Sequence, residues 1–343
     1  MTEQLAGAAL AAIQQTIDLA LLGGERKYTR IEAARLGGVD IERAHRLWLS
    51  MGFAEVPDDQ IVFTDGDVEA LRVWATLQEG DAPINPGDET AVVRSIGQAM
   101  SRLADWEAQV VLTRVRESGG IPDNLLENDN PLVAVVQSLH NYVWRRHLAA
   151  ACLRLLSADL ADPAEQPLAV GFADIVGYTS TTRRIELDDL GSLLDSFEDD
   201  ASEAVAACHG RVVKTVGDEV MFVADNASDA ADIALRLSDP AREEQGLPTL
   251  RVGLAMGPVL SRFGDVYGEA VNVAARLTSR ARPGTVLLDQ GMAEQLRGND
   301  RYQLRSLRPV SVRGYNHLRL WVLRPPEPSR RRSSRDRRVT ETP

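Results

Sequence analysis

The sequence predicts an α+β chain: an all-α domain over residues 1–156, a ferredoxin-like βαββαβ domain over 165–323, and a disordered Arg-rich tail over 324–343. Three observations carry this expectation. Apolar residues recur at three and four from Leu5 to about Leu156, whereas β-type runs alternate with amphipathic helices from Leu168 onward. The polar stretch Ser157 to Gln166, with Pro163 inside it and Pro167 just beyond, separates the two patterns. The length of 343 residues also exceeds the usual size of one domain.

In the first half, the helical period shows in Ile13, Ile17 and Leu21 and again in Val92, Ile96, Met100 and Leu103. Turn chemistry breaks it at Gly23-Gly24, Gly37-Gly38, Pro57-Asp58-Asp59, Pro83 to Gly87, Gly119 to Pro122 and Asn128 to Pro131. Leu132 to Leu156 contains no Pro or Gly and reads as one connecting helix. The second half reads as strand Leu168 to Ile175, helical text to His209, strands Arg211 to Val216 and Glu219 to Val223, and a helix around Asp229 to Leu237. Strand Leu250 to Met256, helix Ala270 to Ala281 and strand Thr285 to Asp289 follow.

Cys152 and Cys208 stand far apart with no Cys/His cluster, which argues against a disulfide framework or structural zinc and for a reducing, cytoplasmic setting. No basic leader with an apolar run and no spanning apolar stretch is seen, so neither secretion nor membrane insertion is expected. The formal charge of −12 hides a tail with seven Arg and three acids, leaving −16 on residues 1–323. Such a body repels nucleic acid, so a polyphosphate ligand needs local capture by metals, a few cations or backbone N–H groups.

Three segments carry chemistry. In Gly171-Phe172-Ala173-Asp174-Ile175-Val176-Gly177-Tyr178-Thr179, one carboxylate ends an apolar strand, and a helix N-terminus able to face phosphate is expected to follow. In Val212-Val213-Lys214-Thr215-Val216-Gly217-Asp218-Glu219-Val220-Met221-Phe222, a Gly-Asp turn joins two strands. If this hairpin lies beside the first strand, Asp174 and Asp218 meet and can hold two Mg²⁺ or Mn²⁺ ions; Glu219 reads as structural or solvated. In Phe263 to Leu277, Asn272 and Arg276 stand four apart on one helix face, suited to orienting a ribose and neutralising phosphate.

Together these segments resemble the class III nucleotidyl cyclase catalytic domain over roughly residues 165–323, and the N-terminal half resembles the regulatory region of mycobacterial pH-responsive adenylyl cyclases. The resemblance implies an ATP cyclase forming 3′,5′-cyclic AMP and pyrophosphate, with Asp174 and Asp218 on both metals, Lys214 and Asp265 on the base, and Asn272 and Arg276 serving the transition state. It also implies a head-to-tail homodimer whose sites are shared between subunits. Adenine offers an acceptor at N1 and a donor at N6, so a Lys donor with an Asp acceptor fits ATP, whereas guanine presents the reverse. Arg313, in Val312-Arg313-Gly314-Tyr315, is a candidate cation for the terminal phosphates.

Two other readings compete. Gly217-Asp218-Glu219 resembles the GGDEF signature of diguanylate cyclases, but one Gly is absent and Val220 replaces Phe. Tyr28 to Val39, followed by Arg43 to Trp48, resembles a helix-turn-helix, which would make the chain a DNA-binding regulator with a degenerate cyclase domain; its mixed charge argues against duplex binding. His140 and His147 in the connecting helix suggest pH as a regulatory input.

Overall fold

The computed structural model describes residues 14, 15, 17–22, 24–76, 85–117, 131–157, 167–262, 264–312 and 315–326. The chain divides into two compact units, Met1–Ser157 and Ala158–Pro343. Arg313 and nearly all of the Arg-rich tail lie outside the described residues.

The first unit holds helices α1 (Arg30–Gly37), α2 (Ile41–Met51), α3 (Asp65–Thr76), α4 (Pro86–Glu117) and α5 (Pro131–Ser157). Helix α1 begins at a capping box, where Thr29 and Glu32 satisfy each other's backbone N–H groups, and ends at left-handed Gly38. Its small core joins Ala33, Ala34, Val39, Ala44, Trp48, Val68 and Leu71. The unit is not wholly helical, because Tyr28 and Phe63 form an antiparallel bridge. Two of the four arginines of the helix-turn-helix segment are engaged internally. Arg30 pairs with Asp58 and lies 2.9 Å from His45 Nδ1, while Arg43 pairs with Glu89 and donates to the Trp74 carbonyl at 3.1 Å. Duplex recognition needs such side chains free to meet phosphate, so the DNA-binding alternative is not favoured.

The second unit runs β1 (Pro167–Ile175), α6 (Tyr178–Thr181), α7 (Leu187–Ala207), β2 (Arg211–Val216), β3 (Glu219–Ala224), α8 (Ala227–Leu237), α9 (Ala241–Glu244) and β4 (Leu250–Pro258). It continues with β5 (Leu260–Arg262), β6 (Asp265–Tyr267), α10 (Glu269–Arg280), β7 (Val286–Leu288), α11 (Gln290–Leu296), β8 (Gln303–Ser306), β9 (Val310–Val312), β10 (Tyr315–Leu318) and β11 (Trp321–Arg324). The main sheet has the order β2-β3-β1-β4-β7-β11-β8. Its first four strands are antiparallel neighbours in the ferredoxin-like arrangement that the order of runs predicts. The strand after α10, β7, joins β4 in parallel, and β11 and β8 extend the sheet antiparallel beyond it.

Each face of the sheet is covered. One core gathers Phe197, Phe222, Ile233, Leu237, Leu254 and Leu288; the other sets Val170, Phe172 and Met221 against Val273, Ala274 and Leu277 of α10. Helix α10 sits very close to the sheet at Gly253, where a Cβ would lie 2.3 Å from the Thr278 backbone N and 2.5 Å from the Ala274 carbonyl oxygen. The buried Thr278 hydroxyl is within reach of two acceptors, the Ala274 carbonyl at 3.0 Å and the β1 carbonyl of Phe172 at 3.2 Å. These contacts fix the rotation of α10, and so the direction in which Asn272 and Arg276 project.

Candidate active site

Asp174 sits near the end of β1, 8% exposed, opposite Glu219 of β3 and Arg251 of β4 in the ladder. Cross-strand partners share a face, which converts three residues distant in sequence into one cluster. The β2–β3 turn brings in the fourth member: left-handed Gly217 makes the reversal, and the Ile175 N–H donates to the Asp218 carbonyl at 3.0 Å. Asp174 and Asp218 thus meet beside the first strand.

The charges there are uneven. Burial raises the Asp174 carboxyl above the ordinary range; Arg251, bonded to it at 2.5 Å, offsets part of this, and Asp218 adds to it. Glu219 is half-buried rather than solvated. Burial and the charges of Asp174 and Asp218 push its carboxyl up to about 7. This oxygen-rich pocket of excess negative charge suits a hard divalent cation. No ready-made cage of three or more His, Cys, Asp or Glu groups exists among the described residues. The two aspartates therefore fit the sparse protein ligation typical of Mg²⁺, in which water and substrate phosphates supply the other oxygens.

The helix expected after β1 as a phosphate-facing terminus is only the single turn α6. The Ser180 and Thr181 N–H groups are already spent on the Gly177 carbonyl, at 2.9 and 3.0 Å.

Lys214 and Asp265 form a second cluster. Val212 and Val213 pack on opposite cores, as neighbours in a strand do, and the register shift between Val212 and Lys214 keeps Lys214 on the face of Val213, toward the β5–β6 hairpin. Lys214 Nζ lies 2.5 Å from Asp265 Oδ2, while Asp265 Oδ1 accepts from the Val266 N–H at 2.8 Å. Burial pushes the Asp265 carboxyl up, but its bonds to Lys214 and Val266 outweigh that and hold it below the usual range. A donor and an acceptor are thus locked side by side.

Asn272 and Arg276 are both exposed on α10, and neither side chain has a hydrogen-bond or ion-pair partner among the described residues. They face away from the residues that anchor the helix to the sheet. The sequence reading missed Arg251, whose pairing with Asp174 depends on strand register and leaves no signal in local spacing.

The model of the adenylate and guanylate cyclase catalytic domain matches residues 161–325. An adenylate cyclase of Streptomyces coelicolor is 43% identical over 281 residues, spanning 80% of this chain and 73% of that relative. The chain belongs to the adenylate and guanylate cyclase family. A second cyclase of this family, the adenylate cyclase of Streptomyces griseus, is 41% identical over 285 residues, or 82% of this chain and 71% of the relative. A pH-sensitive adenylate cyclase of Mycobacterium tuberculosis is 28% identical over 289 residues, covering 80% of this chain and 72% of its own. Alignments of this length extend past the cyclase domain into the helical unit. Among the described residues, no helix of this family member is long and apolar enough to cross a membrane.

Proposed function

We propose that the chain is an adenylate cyclase that closes ATP into 3′,5′-cyclic AMP with release of pyrophosphate, at sites shared between two copies in a homodimer. The observation that carries the choice of nucleotide is the Lys214–Asp265 pair at 2.5 Å. On binding, the ammonium donates to adenine N1 and the carboxylate accepts from the N6 amino group, so the base replaces an internal ion pair with its own complement. Guanine would set a donor against Lys214 and an acceptor against Asp265.

Asp174 and Asp218 would hold two Mg²⁺ or Mn²⁺ ions, which supply acidification of the ribose 3′ hydroxyl and neutralisation of phosphate charge. Asn272 orients the ribose so that the 3′ oxygen lies in line with the α-phosphorus, and Arg276 offsets the negative charge that grows on the α-phosphate. Arg251 stands at the same carboxylate edge and serves the departing pyrophosphate, a task also open to Arg313.

The direct test is conversion of ATP and of GTP with Mn²⁺ by the full chain and by Asp174→Ala. Cyclic AMP from wild type alone supports the reading; no product from either nucleotide defeats it. Base selection has its own check. Lys214→Glu combined with Asp265→Cys is expected to lower the ratio of ATP to GTP kcat/KM by about 10², because buried polar groups left mismatched discriminate strongly. An unchanged ratio would remove both residues from the base site.

The helical unit is read as regulatory, with pH as its input. His140 Nε2 of α5 lies 2.6 Å from Glu107 Oε1 of α4, a contact that ties the two long helices of the unit together. In the full chain, His140→Gln is expected to flatten one limb of the pH–activity profile. Superimposable profiles would place the input elsewhere.

A further inference from the structure

Arg251 carries two demands that its geometry does not let it meet at once. Its Nε and Nη2 both lie 2.5 Å from a single oxygen of Asp174, Oδ2. A carboxylate oxygen has two lone pairs in the plane of the group, and two N–H donors use both, so Oδ2 has none to give a cation while Arg251 stays. In the proposed reaction Asp174 serves two ions with its two oxygens, and Arg251 serves the pyrophosphate. Each of those tasks requires the pair to part.

We propose that Arg251 exchanges partners when substrate binds: it holds Asp174 Oδ2 in the nucleotide-free enzyme and passes to the polyphosphate of ATP, which frees Oδ2 for a cation. The inference rests on the cyclase reading and adds to it a positioning role, in which Arg251 makes the acceptance of metal by Asp174 conditional on the nucleotide.

The two partners differ in their freedom to move. Asp174 is held in the ladder near the end of β1 with its side chain 11% exposed, whereas the Arg251 side chain, on the neighbouring strand, is 35% exposed. Beyond Asp174, the guanidinium has a 3.4 Å contact from Nη1 to the Ser279 carbonyl, at the outer limit of a hydrogen bond. One long contact does little to retain it. The exchange also conserves the kind of bond, because a guanidinium meets a phosphate with the same forked donors that it offers a carboxylate. What it leaves behind is a buried Asp174 beside the charge of Asp218, so departure is unfavourable until a cation takes its place at Oδ2. Nucleotide and metal therefore reinforce each other's binding, and by equal factors, as linkage requires.

A double-mutant cycle without metal tests the exchange. ATP binding to the full chain in excess EDTA is measured by equilibrium dialysis for wild type, Asp174→Asn, Arg251→Gln and the double variant, with circular dichroism to check folding. Asp174→Asn is expected to tighten ATP about tenfold when Arg251 is present, as a charge-assisted hydrogen bond regained would give. With Arg251→Gln in place the gain should be no more than about threefold, because only the general repulsion between carboxylate and phosphate is relieved. Equal gains in both backgrounds, or a larger gain without Arg251, would overturn the proposal, since a guanidinium that stays on Asp174 cannot answer its loss by taking up phosphate. A readout on the wild-type chain guards against variants that misfold. The Arg251 Nε–H resonance, assigned by its loss in Arg251→Lys, should shift when Mg²⁺ and 3′-deoxy-ATP, which lacks the attacking hydroxyl, are added together, and hold still with Mg²⁺ alone. A resonance unmoved by both, or moved equally by Mg²⁺ alone, refutes the exchange. None of these readouts needs turnover. Coupling of the expected sign without cyclic AMP from wild type would defeat the cyclase reading and spare the exchange, and cyclic AMP with additive gains would do the opposite.

Discussion

Asp174→Ala is expected to cut cyclic AMP formation by about 10³ or more while the protein stays folded. Removing one preorganised charge stabiliser commonly costs ~10²–10³ in rate, and under the proposed mechanism Asp174 serves both metal positions, so its loss should exceed the range for a single group. The expectation of retained folding has a local basis. Asp174 is the most buried of the four charged groups at the β1 edge, and its burial already disfavours the ionised form. Its partner Arg251 has a side chain 35% exposed, so on losing the carboxylate the guanidinium can turn to water rather than remain buried and unpaired. Product formation from ATP with Mn²⁺, alongside circular dichroism and thermal melting, checks both halves. Turnover within tenfold of wild type would remove Asp174 from the metal site.

Arg276→Ala is expected to lower kcat by about 10²–10³ with little change in KM for ATP, the signature of an interaction made mainly in the transition state. Arg276 is exposed and unpartnered, so the change should leave stability within ~0.5 kcal/mol. The same variant gives a sharper test of shared sites. Co-expressed with Asp174→Ala, it should form mixed dimers in which one site carries both lesions and the other none. Random pairing then predicts about one quarter of wild-type turnover from two inactive parents. No recovery in demonstrated mixed dimers would place a whole site within each protomer.

Much of this was legible in the chain before folding. The strands that carry Asp174 and Lys214, and the one that follows Asp218, are apolar runs, and each falls within two residues of its expected limits. Helix α10 was equally clear, because Ala270, Val273, Ala274 and Leu277 share one face and leave Asn272 and Arg276 on another. What escaped was either short or non-local. Strands β5 and β6 have three residues each, too few for a period to register, yet they deliver Asp265 to Lys214. The outer strands β8 to β11 failed for the same reason. Arg251 and Glu219 acquire their meaning only from sheet register, and the shift that turns Lys214 toward Asp265 is a property of paired strands rather than of one.

The Arg251–Asp174 pair also bears on the life of the protein before it meets any cation. A buried carboxylate at the end of a central strand would ordinarily make folding depend on metal supply, as in small domains that collapse only around their ion. Here the adjacent strand supplies a guanidinium for that carboxylate, so closing the sheet at this position leaves no buried charge unpaired even without a metal. If Asp174 holds metal as proposed, withdrawing divalent ions is expected to stop turnover while thermal melting stays unchanged, and adding them back to restore it.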